Sequence, residues 1–154
     1  MAGVYYTLAY IGDMSETVGA RKYSDAEINR ILDELKGDGF KNNPLRQVYE
    51  METQELSKLR DSMIEQGLSK KEIAETLNEA RRNLGIEYKN ATPQPLREYI
   101  YEINQNRYGD PLGPTMEYFS QKGRTYPKII ESALRPHSDI DSLLLGFEKW
   151  LRRQ

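Results

Sequence analysis

Apolar residues recur every three or four positions along most of the chain, which is the spacing that places them on one face of an α-helix. From Tyr23 onward, glycines, prolines and capping residues interrupt this pattern at short intervals. Outside the first ten residues, no stretch of five or more alternates with the period of two that is typical of a strand. The sequence therefore predicts an all-α fold, a compact bundle of six or seven short helices.

The first two helices have clear start and stop signals. Ser24 and Glu27 form a capping-box pattern, and Gly37 is placed to end the helix that follows. Pro44 stands at the first position of the second helix, where its missing N–H costs nothing, and Gly67 is placed to end it. The predicted buried face of the second helix consists of Leu45, Val48, Leu56, Leu59 and Met63.

The third and fourth helices are predicted from the same kinds of signal. Ser69 and Glu72 form a second capping box, and Gly85 is expected to end the third helix. Thr92-Pro93 is expected to open the fourth helix, which stops near Tyr108-Gly109.

Three shorter helices complete the predicted bundle. Pro and Gly residues bound helices over 114–123 and 126–134, and Ser138-Asp139 caps a last helix. That helix has the clearest apolar stripe in the chain, made of Ile140, Leu143, Leu144, Phe147, Trp150 and Leu151.

The chain is predicted to contain one helical domain, residues 23–154, preceded by an N-terminal segment of residues 1–22. This segment is expected to form a short strand or an extended arm, or to mark a boundary within a longer protein. Its apolar run Val4–Ile11 is interrupted by Thr7 and is too short for a signal peptide. No run approaches the roughly 20 apolar residues that a membrane span needs.

Residues 63–75 and 118–131 follow one plan. Each has an apolar helix end, then Gly-x-(Ser/Thr)-x-x-x-Ile, then a glutamate two positions further on. Such a helix–tight turn–helix unit is typical of DNA-binding helix-turn-helix proteins and also of ordinary corners in a helical bundle. The positions expected to be exposed after Ser69 carry three glutamates and two lysines, a poor surface for binding phosphates.

The amino-acid composition of the chain excludes several classes of function. A net charge of −2 argues against non-specific binding of polyanions as the main activity. The absence of cysteine excludes a disulfide framework, a thiolate nucleophile and a cysteine-ligated zinc site.

Two places could carry chemistry. The single histidine, His137, follows Arg135 and precedes Asp139, so it could act as a general acid or base or could be a plain helix-boundary residue. The segment 107–114 (RYGDPLGP) holds two Gly and two Pro, which predicts a structured turn that fixes Arg107 and Asp110. In the structural alternative, Asp110 caps backbone amides and pairs with Arg107.

Divalent-metal chemistry receives little support from the sequence. Asp110, Glu117 and Glu131 offer carboxylates, but they follow no ligand-spacing motif. We therefore predict no metal site and no cofactor.

Residues 104–136 resemble the C-terminal ends of bacterial polymorphic toxins, the variable tips of YD-repeat (rearrangement-hotspot), wall-associated and contact-dependent inhibition proteins. The motif is R-Y-G-D/N-x-L-G-P-T/S, a short helix, K-G-K/R-S/T, and then I-I-x-S-A-x-R. It falls on Arg107, Tyr108, Gly109, Asp110, Leu112, Gly113, Pro114, Thr115, Lys122, Gly123, Arg124, Thr125, Ile129, Ile130, Glu131, Ser132, Ala133 and Arg135. The resemblance implies a domain exported at the tip of a larger protein, delivered into a neighbouring bacterium and neutralised by a cognate immunity protein.

Many such tips are nucleases, often acting on tRNA. The first hypothesis is therefore a toxin domain that cleaves RNA, without a metal, in the target cytoplasm. Arg107 and Arg135 would bind phosphate, and His137 would move protons with Asp110 or Glu131 as its partner. The remaining polar motif positions, predicted to bind the substrate, are Tyr108, Thr115, Lys122 and Arg124. Two alternatives stay open: a non-catalytic helical module that binds a protein partner, and a helix-turn-helix DNA-binding regulator.

Overall fold

The predicted all-α bundle is confirmed by the computed structural model, which describes residues 21–137 and 139–154. Within these residues the chain forms seven α-helices and one short 3-10 turn, Lys89–Ala91. No helix of this part is long and apolar enough to cross a membrane. The predicted N-terminal strand or arm lies mostly outside the described residues. The helices are α1 (Asp25–Lys36), α2 (Pro44–Glu65), α3 (Lys70–Glu87), α4 (Leu96–Tyr108), α5 (Met116–Gln121), α6 (Tyr126–Leu134) and α7 (Ile140–Arg153).

Most of the helix starts that local signals predicted are confirmed. Ser24 and Ser69 cap α1 and α3, and each capping box is closed by its glutamate, Glu27 or Glu72. These reciprocal bonds satisfy amide groups that the first helical turn leaves without a partner. Side-chain caps also open four other helices, from Asn43, Thr115, Thr125 and Asp139.

Two main cores hold the helices together. The first joins α1, α4 and α7 around the fully buried side chains Phe40, Leu96 and Phe147. The second joins α2, α3 and α6 around Leu77. A small third cluster packs Phe119 of α5 against α3 and α6.

The predicted buried face of α2 is only partly correct. Leu56 and Met63 are buried, but Leu45, Val48 and Leu59 are each more than one-third exposed. The buried positions in the first half of the helix are polar, Arg46 and Thr53. This face of α2 meets a polar layer, so apolar periodicity selected the wrong side of the helix there.

Two predicted helix boundaries are also wrong. The third helix does not end at Gly85 but continues to Glu87, with Tyr88 at its C-cap. The fourth begins at Leu96 and not at Thr92-Pro93, since the 3-10 turn and a cis Gln94–Pro95 peptide bond lie between the two helices.

The two similar segments form matching helical corners. Gly67 and Gly123 both adopt positive φ angles, 79° and 67°, which glycine reaches without steric cost. Each glycine is followed by a hydroxyl residue that caps the next helix, α3 or α6. Because α3 and α6 then pack against each other, the two corners belong to one bundle.

Truncating Leu77 should test the second core. The side chain has no exposed surface, so we expect Leu77→Ala to lower the free energy of unfolding by about 2–5 kcal/mol. Leu145→Ala is the matched control, because Leu145 is 64% exposed and its truncation should change stability by less than about 0.5 kcal/mol. Urea unfolding followed by circular dichroism measures both, and equal effects would contradict this description of the core.

Candidate functional site

The turn between α4 and α5 is fixed by polar bonds that start from α3. Arg82 donates to the carboxylate of Asp110 at 3.1 Å and to the carbonyl of Gly113 at 3.0 Å. Asp110 also accepts the amide of Leu112 at 2.9 Å, and Gly109 ends α4 with a φ of 74°. The predicted structured turn is therefore present, but Asp110 pairs with Arg82, whereas the structural alternative paired it with Arg107.

The acid strength of Asp110 reflects this pairing. Burial acts to raise the pKa of the carboxyl group, but the hydrogen bonds from Arg82 and from the amide of Leu112 outweigh it and lower the pKa below its ordinary value. Asp110 is thus a stable carboxylate that holds the turn. Arg107 is exposed, and its guanidinium carbon lies 5.9 Å from the centre of the Tyr108 ring.

The end of α6 is also held from α3. Arg81 donates from one nitrogen to the carbonyls of Ala133 and Arg135, at 2.7 Å each. Carbonyls at a helix C-terminus lack intrahelical partners, so a guanidinium there supplies both the missing donor and a favourable charge. The backbone at Arg135 is thereby fixed.

His137 lies in a polar layer between α2 and the end of α6. Its Nε2 atom is 3.0 Å from the hydroxyl of Thr53, and its ring meets that of Tyr49 edge to face, with centroids 4.5 Å apart. Burial, helped by the nearby charges of Arg46 and Arg81, lowers the pKa of His137 to about 3. The imidazole is therefore neutral at physiological pH and holds the chain after α6, and its hydrogen-bond partner is Thr53, where we had expected Asp110 or Glu131.

The polar layer continues along α2. Buried Arg46 donates to Glu50 at 2.9 Å and lies 4.6 Å from the centre of the Phe40 ring. Tyr88 donates to Glu52 at 2.5 Å, and this bond raises the pKa of the Tyr88 hydroxyl to about 12. These charged and aromatic groups bond to one another, which is the arrangement expected of a structural polar network.

A cleft of about 360 Å³ lies beside α6 and brings several motif positions together. Four residues predicted to act in catalysis or substrate binding line it: Tyr108, Arg124, Glu131 and Arg135. The other lining residues, which the sequence reasoning did not select, are Pro114, Tyr118, Phe119, Lys128 and Ser132. Its charged groups are three cations and one carboxylate.

The cations of the cleft are exposed and have few competing partners. Lys128 lies 3.4 Å from Glu131, and both side chains are more than 60% exposed. Arg124 and Arg135 are exposed, at the two ends of α6. Such groups stay available to a ligand. Lys128 was not predicted to belong to the site, although its position one helical turn before Glu131 could have indicated it.

The other two predicted substrate-binding residues lie next to the cleft. Thr115 caps α5 by accepting the amide of Tyr118 at 3.1 Å, which is a structural task. Lys122 places its ammonium group 5.8 Å from the centre of the Tyr118 ring.

Other candidate sites are less well formed. A hollow of about 540 Å³ is bounded by Lys58, Asp61, Ser62, Ile64 and Glu65, all on α2, and no second element of the described part of the chain lines it. Among residues 21–137 and 139–154, no three metal-ligating side chains gather in one place. The cleft beside α6 is the better candidate, since chain segments from α4, α5 and α6 converge there.

Comparison with known proteins returned no match: no family model fits the chain, and neither the curated proteins nor the solved structures include a significantly similar one.

The depressed pKa of His137 predicts acid sensitivity. The unfolded chain takes up a proton near pH 6.5 while the folded chain does not until about pH 3, so folding stability should fall as the pH drops below 6.5. Between pH 7.5 and 5 we expect a loss on the order of 1–2 kcal/mol from this group.

Urea unfolding at several pH values measures this loss. His137→Gln is the control, because an amide can bond to Thr53 but does not titrate, and its stability should vary less over the same range. Equal pH profiles for the two proteins would show that His137 is not a buried neutral imidazole.

Proposed function

We propose that this chain is the toxin domain of an interbacterial competition system and that it binds and cleaves RNA in the cleft beside α6. The observation that supports this is the composition of the cleft, in which Arg124, Lys128 and Arg135 surround one carboxylate, Glu131. The protein as a whole carries a charge of −2, so this local excess of positive charge is not a consequence of overall composition.

The three cations suit a phosphodiester chain. Lys128 lies on α6, and Arg124 and Arg135 lie just beyond its two ends. The helix is about 13 Å long, given the rise of 1.5 Å per residue, so the cations can contact more than one phosphate. Arginine binds phosphate through paired N–H donors, and both arginines are exposed. The modest number of cations predicts salt-sensitive binding of a short segment.

Glu131 is the candidate general base. In the proposed reaction its carboxylate takes the proton of an RNA 2′-hydroxyl, the 2′-oxygen bonds to phosphorus, and the bond from phosphorus to the 5′-oxygen breaks. Lys128, adjacent to Glu131, gives a proton to the departing 5′-oxygen. The products are a 2′,3′-cyclic phosphate and a 5′-hydroxyl, and Arg124 and Arg135 stabilise the charge that develops on the phosphoryl oxygens.

This proposal changes the roles first assigned to several residues. His137 bonds to Thr53 and holds the chain after α6. Asp110 bonds to Arg82 and stabilises the turn between α4 and α5. The segment that resembles polymorphic toxin ends, residues 104–136, is the segment that supplies the cleft. The proposal accordingly includes a cognate immunity protein as partner and the cytoplasm of the target cell as the place of action.

Reversing the cleft charges should abolish RNA binding. We expect Arg124→Glu and Arg135→Glu each to weaken binding of a labelled RNA about tenfold or more at low salt and to reduce the dependence of affinity on salt. Fluorescence anisotropy measures both effects. Arg30→Glu on the exposed surface of α1 makes the same change in net charge and should leave affinity nearly unchanged; an equal loss there would mean that only overall charge matters.

Removing the proposed base should separate binding from cleavage. We expect Glu131→Gln to retain RNA affinity and to lose cleavage by 100-fold or more, in keeping with the usual contribution of a general base. Inducible expression in a bacterium that lacks the immunity protein, followed by an RNA gel, should show growth arrest with discrete fragments for the native chain only. Healthy growth and intact RNA with the native chain would sink the toxin proposal.

A second candidate function, a non-catalytic protein-binding module, is favoured by the outer surface of α2. Leu45, Val48, Met51 and Leu59 are each more than one-third exposed on this helix. Apolar residues grouped on a surface often mark a place where another protein binds. A stable complex lost on Val48→Lys with Met51→Lys, together with no toxicity of the native chain, would select this function.

A further inference from the structure

Two tyrosines line the same cleft as the cations and meet each other at right angles. The ring centroids of Tyr108 and Tyr118 are 5.0 Å apart, with an interplanar angle of 88°. Tyr118 also meets the ring of Phe119 edge to face, with centroids 5.6 Å apart, so part of its surface is packed inside the protein. Both tyrosines are half-buried, and the part of each ring that lines the cleft is the aromatic surface on which a third ring could stack.

Both rings are held by rigid elements. Tyr108 is the last residue of α4, immediately before the turn that Arg82 and Asp110 fix. Tyr118 lies on α5, and its backbone amide is bound by the capping residue Thr115. Rings that are already in place lose little conformational freedom when a ligand stacks on them.

Each tyrosine of the pair has a cation near its ring. The Arg107 guanidinium lies 5.9 Å from the centre of the Tyr108 ring, and the Lys122 ammonium lies 5.8 Å from that of Tyr118. A nucleotide whose base is placed against the tyrosines would thus have positive charge nearby for its phosphate group. This arrangement of stacking surface and charge is the one that proteins use for single-stranded nucleic acid.

We infer that Tyr108 and Tyr118 select an unpaired nucleotide, so that the substrate is a single-stranded segment or loop of RNA and not a duplex. This inference rests on the proposed function of the cleft. Bases within an RNA duplex are stacked on their neighbours and cannot reach an aromatic side chain, whereas bases of loops and single strands can. The volume of about 360 Å³ is at the small end of ligand sites, which suits one nucleotide better than a helix.

The test compares two RNAs with the same number of phosphates, an unstructured strand and a fully paired, blunt-ended duplex, both with 2′-O-methyl groups that prevent cleavage. We expect the native chain to bind the unstructured strand about tenfold more tightly or better, as measured by fluorescence anisotropy. Tyr108→Leu should remove most of that preference by weakening binding of the unstructured strand, with little change in the weaker affinity for the duplex. Tyr108→Phe, which keeps the ring, should retain it.

A second measurement leaves the protein unaltered. Replacing single nucleotides of the unstructured strand by abasic sites preserves its charge and removes the ring that stacks, so one such position should weaken binding several-fold. Equal affinity for both RNAs, or no effect of any abasic site, would overturn the inference, while loss of binding in Arg124→Glu would still support the proposed function. If the native chain binds neither RNA, the proposed function fails and the inference fails with it.

Discussion

Three polar side chains of α3 hold the backbone on which the cleft is built. Arg81 binds the carbonyls at the end of α6, Arg82 binds Asp110 and the carbonyl of Gly113, and Asn78 donates to the carbonyl of Pro114 at 3.3 Å. These carbonyls lie in a turn or at a helix end, so regular secondary structure offers them no donor. A half-buried carbonyl without a partner costs free energy, and α3 removes that cost at each of these positions. Both ends of the cleft are therefore positioned from one helix, which is itself fixed by buried Leu77.

The charged groups of the molecule divide into two kinds with different consequences. In the polar layer around His137, each group has a hydrogen-bond partner. The imidazole bonds to Thr53, Arg46 bonds to Glu50, and Tyr88 bonds to Glu52. Half-buried groups that already have hydrogen-bond partners stabilise one arrangement of the helices and are poorly suited to bind a ligand. The cations beside α6 are exposed and lightly paired, so they contribute little to stability and stay free to bind. Histidine is the side chain that most often moves protons in active sites. In this protein His137 instead bonds to Thr53 and holds the chain after α6.

The tyrosines and the charged groups proposed to bind RNA line one cleft. A short RNA strand would lie along α6 with its phosphates on the arginines and one base against the tyrosines, and the carboxylate in the middle would act on the 2′-hydroxyl. The exposed apolar residues of α2 provide a surface on another helix, where a protein could bind by burying them. In a domain that acts on RNA at the cleft, this second surface would remain available to a protein partner.

The sequence by itself determined which segments are helical and where most of them begin, because the signals that start a helix act over a few residues. The capping boxes at Ser24 and Ser69 and the positive φ of Gly67 and Gly123 need only local contacts. Where distant segments meet, the same reasoning was wrong: it assigned Leu45 and Val48 to the core and missed the polar layer that buries Arg46. The partners of Thr53 and Asp110 are 84 and 28 positions away, and no local pattern encodes them. The motif brought Arg124, Glu131 and Arg135 to notice, but their common cleft depends on the packing of α6 against α3, which only the tertiary structure decides.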